Sequence, residues 1–451
     1  MHPSLRPFLS LCLLCCLASS SCLSGAAPPK ALVAPIVYDT STSLYAVSPL
    51  GGPPFDRALL LNLDSSNLWK DCMDPLISLS TLQAVLYGSA ICNSASVQTS
   101  LITGDPGYVS GCTGLPTPIC SNNSCSVFVS GSSSSSPNGV LWTGTISLLS
   151  TDGAHSGPLV SVPMFAFACS DDILLNAQGA LPSNAVGAAG LSRAALALPT
   201  QLARKLSIQR RFAYCLPRSS IPGNGILFFG RSPYVFPPAG DISNHLRYTP
   251  LVFNPQEADS YFVGVKYVSV NKVQLPINST LLQLTNNPSI IINGEPAVVG
   301  GTSISSTIRY TQLESSIYDA LAREFTAAAT GMGLSPVGAE GVFETCFDAS
   351  AAQTSGSGYA VPEITLTFQG GQGASWTFTS SNSVAVVGDG KHICLAFQRL
   401  DKFQIRSIVL GTYQQQDALL VFDIANSMLG FVPDLAGLGS HCSNFPFSTS
   451  H

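Results

Sequence analysis

The 451-residue sequence predicts a mainly β fold, divided near its middle. Three observations carry that reading. Apolar residues alternate with period two in one short segment after another, helical spacing is scarce, and a Pro- and Gly-rich interval interrupts the pattern between residues 217 and 261. A chain of this length suits two or three core-forming units.

Residues 1–27 read as a secretory leader. Arg6 supplies the positive start, Phe8 to Ala18 the apolar stretch, and Ala26-Ala27 a small-residue exit. The apolar stretch is shorter than the about 20 residues a membrane-spanning helix needs, and no later run reaches that length, so no membrane partner is expected. Ser132 to Ser136 form a serine run that reads as a solvated loop. Leu198, Leu202 and Leu206, with Pro199 in the first turn, predict a short amphipathic helix. The dividing interval carries Pro222, Pro233, Pro237, Pro238 and Pro250. Beyond it, Val268 and Val270, a turn near Asn271-Lys272, and the return through Val273 and Leu275 predict a hairpin. Ile317, Leu321 and Phe325 repeat every four residues after Ser315-Ser316 and predict a second helix. Ile364, Leu366 and Phe368 lead through Gly370-Gly371 to Trp376 and Phe378, another strand pair.

Four of the 14 cysteines lie in the leader. The other ten are Cys72, Cys92, Cys112, Cys120, Cys125, Cys169, Cys215, Cys346, Cys394 and Cys442. An even number in a secreted chain predicts five disulfides, whose connectivity spacing does not reveal. Asn122-Asn123-Ser124 and Asn278-Ser279-Thr280 fit the glycosylation sequon, which makes Asn122 and Asn278 candidate attachment sites.

Charge and motifs exclude several functions. Charged residues make up 10% of the chain against roughly 25% in typical globular proteins, so Ser, Thr, Asn and Gln carry much of the surface polarity. The net charge is −5 and no basic patch appears, which argues against a nucleic-acid partner. The six histidines are scattered singly, without the paired spacing of a zinc peptidase, and the cysteines lack metal-site spacing. No G-x-S-x-G nucleophile elbow and no phosphate-cradling G-x-x-x-x-G-K-[ST] loop occurs, so no metal and no cofactor is expected.

Leu410-Gly411-Thr412-Tyr413-Gln414-Gln415-Gln416-Asp417, running on through Val421-Phe422-Asp423-Ile424-Ala425-Asn426-Ser427 to Leu429-Gly430-Phe431, resembles the C-terminal signature of plant pepsin-like proteins. Val186-Gly187-Ala188-Ala189-Gly190-Leu191-Ser192-Arg193, Phe212-Ala213-Tyr214-Cys215-Leu216-Pro217 and Tyr261-Phe262-Val263-Gly264-Val265 match in the same order. The resemblance implies a bilobal fold, two β-rich, barrel-like lobes around a cleft, each offering one central loop. It divides the chain into an N-terminal lobe at 28–217, an interlobe segment at 218–260, a C-terminal lobe at 261–433 and a tail at 434–451.

In working aspartic peptidases each loop presents an Asp within Asp-Thr/Ser-Gly. Two carboxylates about 3 Å apart cannot both ionise, so they share one proton. One then acts as base on a water while the other acts as acid toward the substrate carbonyl. The resemblance places Asp64 of Asp64-Ser65-Ser66 at the first position, a vestigial aspartate with Ser66 in place of the usual Gly. Counting back from Tyr318 puts Ser305 at the second position, and no acidic residue lies between Glu295 and Glu314. The position of the tyrosine-bearing flap falls in the serine run.

These departures resemble the non-proteolytic branch, which holds extracellular dermal glycoproteins, basic seven-S globulins and cereal xylanase inhibitors. Gly300-Gly301-Thr302-Ser303-Ile304-Ser305-Ser306, Tyr310-Thr311 and the tail Cys442-Ser443-Asn444-Phe445 carry that likeness. It implies a secreted, extracellular pseudo-enzyme of the cell wall that binds a secreted glycan hydrolase such as a xylanase. Cereal inhibitors insert a histidine from just before the last cysteine. Here His441 is the nearest histidine, and Arg309 is a second candidate contact. A residual aspartic peptidase and a stress or storage glycoprotein are the alternatives.

Overall fold

The computed structural model describes residues 29–48, 51, 56–72, 82–95, 124–127, 129, 139–170, 181–231, 233–292, 294–355, 358–370, 373–400 and 405–447. The leader, the serine run with the flap position, Cys112, Cys120 and Asn122 lie outside them.

A six-stranded antiparallel sheet joins the two halves. Its order is Ala31–Asp39, Gly225–Gly230, Arg211–Cys215, Leu419–Asp423, Met428–Val432 and Arg247–Val252. The seam between the halves is the pair Arg211–Cys215 and Leu419–Asp423, with Phe212 opposite Phe422. Arg211–Cys215, Gly225–Gly230 and Leu419–Asp423 are buried along their whole lengths, so they read as continuous apolar runs rather than alternating ones. Phe212 and Phe422 stack at 4.7 Å, and Tyr261 packs 4.6 Å from Phe422. Such aromatic pairs add about 0.5–1.5 kcal/mol each beyond the area they bury.

The helices and hairpins follow the sequence pattern. Leu198–Leu206 and Ser315–Gly331 are the two helices the apolar spacing predicts. Val265–Val270 turns through Asn271 and Lys272, both at positive φ (45° and 71°), into Val273–Gln274. Two consecutive left-handed residues match the right-handed twist of a hairpin, which is why the turn is tight. Ile364–Phe368 pairs with Ser375–Phe378, Leu366 opposite Trp376.

Each half also contains parallel pairing. Ala58–Asn62 runs parallel to Ala185–Gly190, and Thr302–Ile304 runs parallel to Ile408–Leu410. A loop leaves the end of the first strand of each pair, and these two loops form the site described below. Four disulfides occur among the described residues: Cys72–Cys169, Cys92–Cys125, Cys215–Cys442 and Cys346–Cys394. Cys215–Cys442 closes 227 residues of chain and ties the tail to the joining sheet.

Candidate functional site

The two loops are related residue by residue. Asn62 ends its strand opposite Gly190, and Ser305 follows Ile304, which lies opposite Leu410. Gly190 and Gly411 therefore occupy matching places beneath the loops. A Cβ on Gly190 would sit 2.1 Å from the Asn67 carbonyl oxygen, and one on Gly411 would sit 2.6 Å from that of Arg309. Only glycine lets the supporting strand approach its loop this closely.

The loop hydrogen bonds repeat the relation. Asp64 N–H donates to Asn62 Oδ1 at 2.9 Å. Thr307 N–H donates to Ser305 Oγ at 3.2 Å, as does Ile308 N–H. The side chain at the first loop position thus caps the amide two residues on, in both lobes. One bond links the loops directly, Leu63 N–H to Ser306 Oγ at 3.0 Å. Leu63 has no hydroxyl, so its side chain cannot return that bond.

The register corrects one expectation. Asn62, not Asp64, stands at the position equivalent to Ser305. The apolar run Leu59-Leu60-Leu61 gives way to the polar Asn62, as Ile304 gives way to the polar Ser305, and that boundary was the available signal. Asp64 lies two residues farther on, equivalent to Thr307. With Asn62 at the first position, Asp64 rather than Ser66 stands where the glycine of Asp-Thr/Ser-Gly would, and the close approach beneath the loops is made by Gly190 and Gly411.

Asp64 belongs to a group of charges at the base of the first loop. Its carboxyl is held above the ordinary aspartate range by desolvation. The Arg406 charge and a hydrogen bond with Ser260 oppose that shift, and Glu257 adds to it. Asp259 is raised by desolvation and by Asp64, against a hydrogen bond with Ser192. Arg406 grips Glu257 through Nε at 3.1 Å and Nη2 at 2.9 Å, and it also donates to Ser303 and Ser260 at 3.3 Å each. No pair of carboxyls spans the two loop positions, because their side chains are an amide and a hydroxyl.

The two candidate contact residues are engaged inside the protein. His441 Nδ1 lies 2.8 Å from Asp417 Oδ2, which also accepts from Arg218 Nε at 2.6 Å. Cys442 N–H donates to the other Asp417 oxygen at 2.9 Å. Arg309 Nη1 donates to Ser43 Oγ across the lobes, and its guanidinium lies 4.9 Å over the Tyr310 ring. Asn278 is exposed, and its Oδ1 accepts from the Thr280 N–H at 3.1 Å and hydroxyl at 2.9 Å.

Two family models match the chain: Xylanase inhibitor N-terminal over residues 45–231 and Xylanase inhibitor C-terminal over residues 260–433. The chain is 34% identical over 434 residues to "Probable aspartic proteinase GIP2" of Nicotiana benthamiana, with 93% of each chain covered. It is 32% identical over 461 residues to "Gamma conglutin 1" of Prunus dulcis, covering 100% of this chain and 98% of that one. The crystal structure of edgp is similar to it with a TM-score of 0.79 and 32% identity, over 94% of this chain and 99% of the other.

Proposed function

The chain belongs to the xylanase-inhibitor family of pepsin-like proteins, and from that footing we propose that it is a secreted, catalytically inactive member that binds and inhibits extracellular glycan hydrolases, xylanases among them. The observation that carries the loss of peptidase chemistry is the pair Asn62 and Ser305 at the two equivalent loop positions. Neither side chain can hold the shared proton that an acid peptidase passes between water and substrate. An amide and a hydroxyl still cap their own turns, so the loops keep their shape without the chemistry.

The inhibitor reading rests on family membership and on a rigid frame. Loops anchored by a joining sheet and by Arg309 reaching Ser43 across the lobes offer a preformed surface, and preformed surfaces lose little entropy on binding. Retaining glycosidases carry two carboxyl groups about 5–5.5 Å apart, which a cationic side chain can bridge. His441 and Arg309 are candidates for that contact, although each must first leave its present partner. Exposed Asn278 is the proposed glycosylation site among the described residues.

The test has two arms. The purified protein is expected to leave denatured haemoglobin intact across about pH 2 to 6, the range of a shared-proton dyad. It is expected to inhibit at least one of a panel of xylanases and other wall glycan hydrolases at micromolar concentration. Absence of inhibition throughout the panel overturns the inhibitor reading.

A second reading, residual acid proteolysis, draws on the interacting carboxyls of Asp64 and Asp259 and on the relative named as an aspartic proteinase. Pepstatin-sensitive cleavage that disappears in Asp64→Asn would establish it against the first.

A further inference from the structure

A cavity of about 570 Å³ lies away from the two loops, on the C-terminal half. It sits between the end of the strand Arg247–Val252, the start of Val265–Val270 and the segment that follows the turn Ser279–Leu282. Its volume falls within the roughly 300–1,000 Å³ typical of small-molecule sites. The walls are largely apolar. Val263 and Leu282 are buried there, and Val252 and Leu284 are half-buried.

Glycine shapes the cavity at two points. A Cβ on Gly301 would lie 2.7 Å from Leu284 Cδ2, and one on Gly264 would lie 2.9 Å from Gln369 Oε1. Any other residue at either place would displace a wall side chain. Gln369 is itself fixed, its N–H donating to the Gly264 carbonyl at 2.7 Å and its Nε2 to the Val265 carbonyl at 3.2 Å. The polar groups that remain available are Lys266 and Gln283, both exposed. Among the described residues Lys266 is the only charged side chain lining the cavity, and it has no acidic partner although the net charge of the chain is −5. The Gln283 side-chain amide likewise has no hydrogen bond among the described residues. Apolar walls with one unopposed cation suit a molecule with an apolar body and a single negative head, which the ammonium holds through charge-assisted bonds.

We propose that this cavity binds a small organic anion, an apolar body carrying one carboxylate, with the body against Val263 and Leu282 and the carboxylate at Lys266. The site is separate from the loop positions. Gly301 precedes the strand Thr302–Ile304 and Ser305 follows it, so roughly 13 Å of extended chain lies between them. The proposal does not depend on the protein's having a hydrolase partner.

The experiment is a calorimetric titration of the full protein with octanoate and with 3-phenylpropionate, against octan-1-ol and sodium acetate as controls. At least one of the two carboxylates is expected to bind saturably, at least threefold more tightly than octan-1-ol, while acetate gives no saturable signal. The tighter of the two distinguishes an aliphatic body from an aromatic one. Lys266→Glu is expected to weaken carboxylate binding at least tenfold and to leave octan-1-ol unchanged. Val252→Phe, which fills part of the cavity, is expected to weaken carboxylate and alcohol alike. Circular dichroism checks that each variant folds, and the exposed Lys266→Glu carries the test if Val252→Phe does not. The proposal is overturned if neither carboxylate binds, if the alcohol binds as tightly as the carboxylates, or if folded Lys266→Glu binds them as tightly as the parent.

Discussion

At the scale of single residues, Asp64 makes the protein's stability depend on pH in an unusual direction for a carboxylate. Burial raises its folded value above the 3.8 of an unperturbed aspartate, and Asp259 is raised likewise. A raised carboxyl holds its proton more tightly folded than unfolded, so the stabilisation is fully present below about pH 4 and is lost as pH rises through the folded values. Thermal melting of the parent is therefore expected to show a component that falls from pH 4 toward 7, and Asp64→Asn is expected to flatten it. A variant whose pH profile superimposes on the parent's would refute the assignment. The same residue shows where sequence reading stopped. Ser305 stood at its position by counting along a well-spaced motif, whereas Asp64 attracted the first position because an acid is expected there. Asn62 carries no such chemical signal, and only the strand register, a non-local property, reveals it.

Elements whose signal is local were legible. The helix Ser315–Gly331 announces itself through Ile317, Leu321 and Phe325, all buried, and the hairpin turn through Asn271, a residue that tolerates positive φ. The parallel pairings Ala58–Asn62 with Ala185–Gly190 and Thr302–Ile304 with Ile408–Leu410 were not, because they join segments more than 100 residues apart. Their demand on sequence is concentrated in Gly190 and Gly411. Gly190→Ala would drive a Cβ into the Asn67 and Ser65 carbonyl oxygens, at 2.1 and 2.6 Å, and backbone cannot swing aside as a side chain does. The expected loss is about 1–3 kcal/mol, the usual cost of overpacking, read as a lower denaturant midpoint at unchanged slope. A midpoint equal to the parent's would mean that the loops yield without cost.

Across the whole molecule, the tail closes the joining sheet through one buried carboxylate. Asp417, 1% exposed, receives Arg218, the His441 ring and the Cys442 amide, while Cys442 bridges to Cys215 on the seam strand. Phe445 adds an edge-on contact with Phe228 of the neighbouring strand at 5.5 Å. This arrangement separates two roles for His441. If the ring serves the latch, His441→Ala removes one of three donors to Asp417 and leaves Arg218 in place. The expected stability loss is then about 1 kcal/mol, the worth of an ordinary hydrogen bond, with the inhibition constant toward a sensitive hydrolase unchanged. If the ring also reaches a partner carboxylate, inhibition must weaken tenfold or more in the same variant, on top of the stability lost with the Asp417 bond. Asp417→Ala calibrates the comparison. It strands Arg218 in a mostly buried site, which costs about 3–5 kcal/mol when one partner of such a pair is removed. A His441→Ala variant as damaged as Asp417→Ala would show the imidazole, rather than the arginine, to be the principal partner of the buried carboxylate.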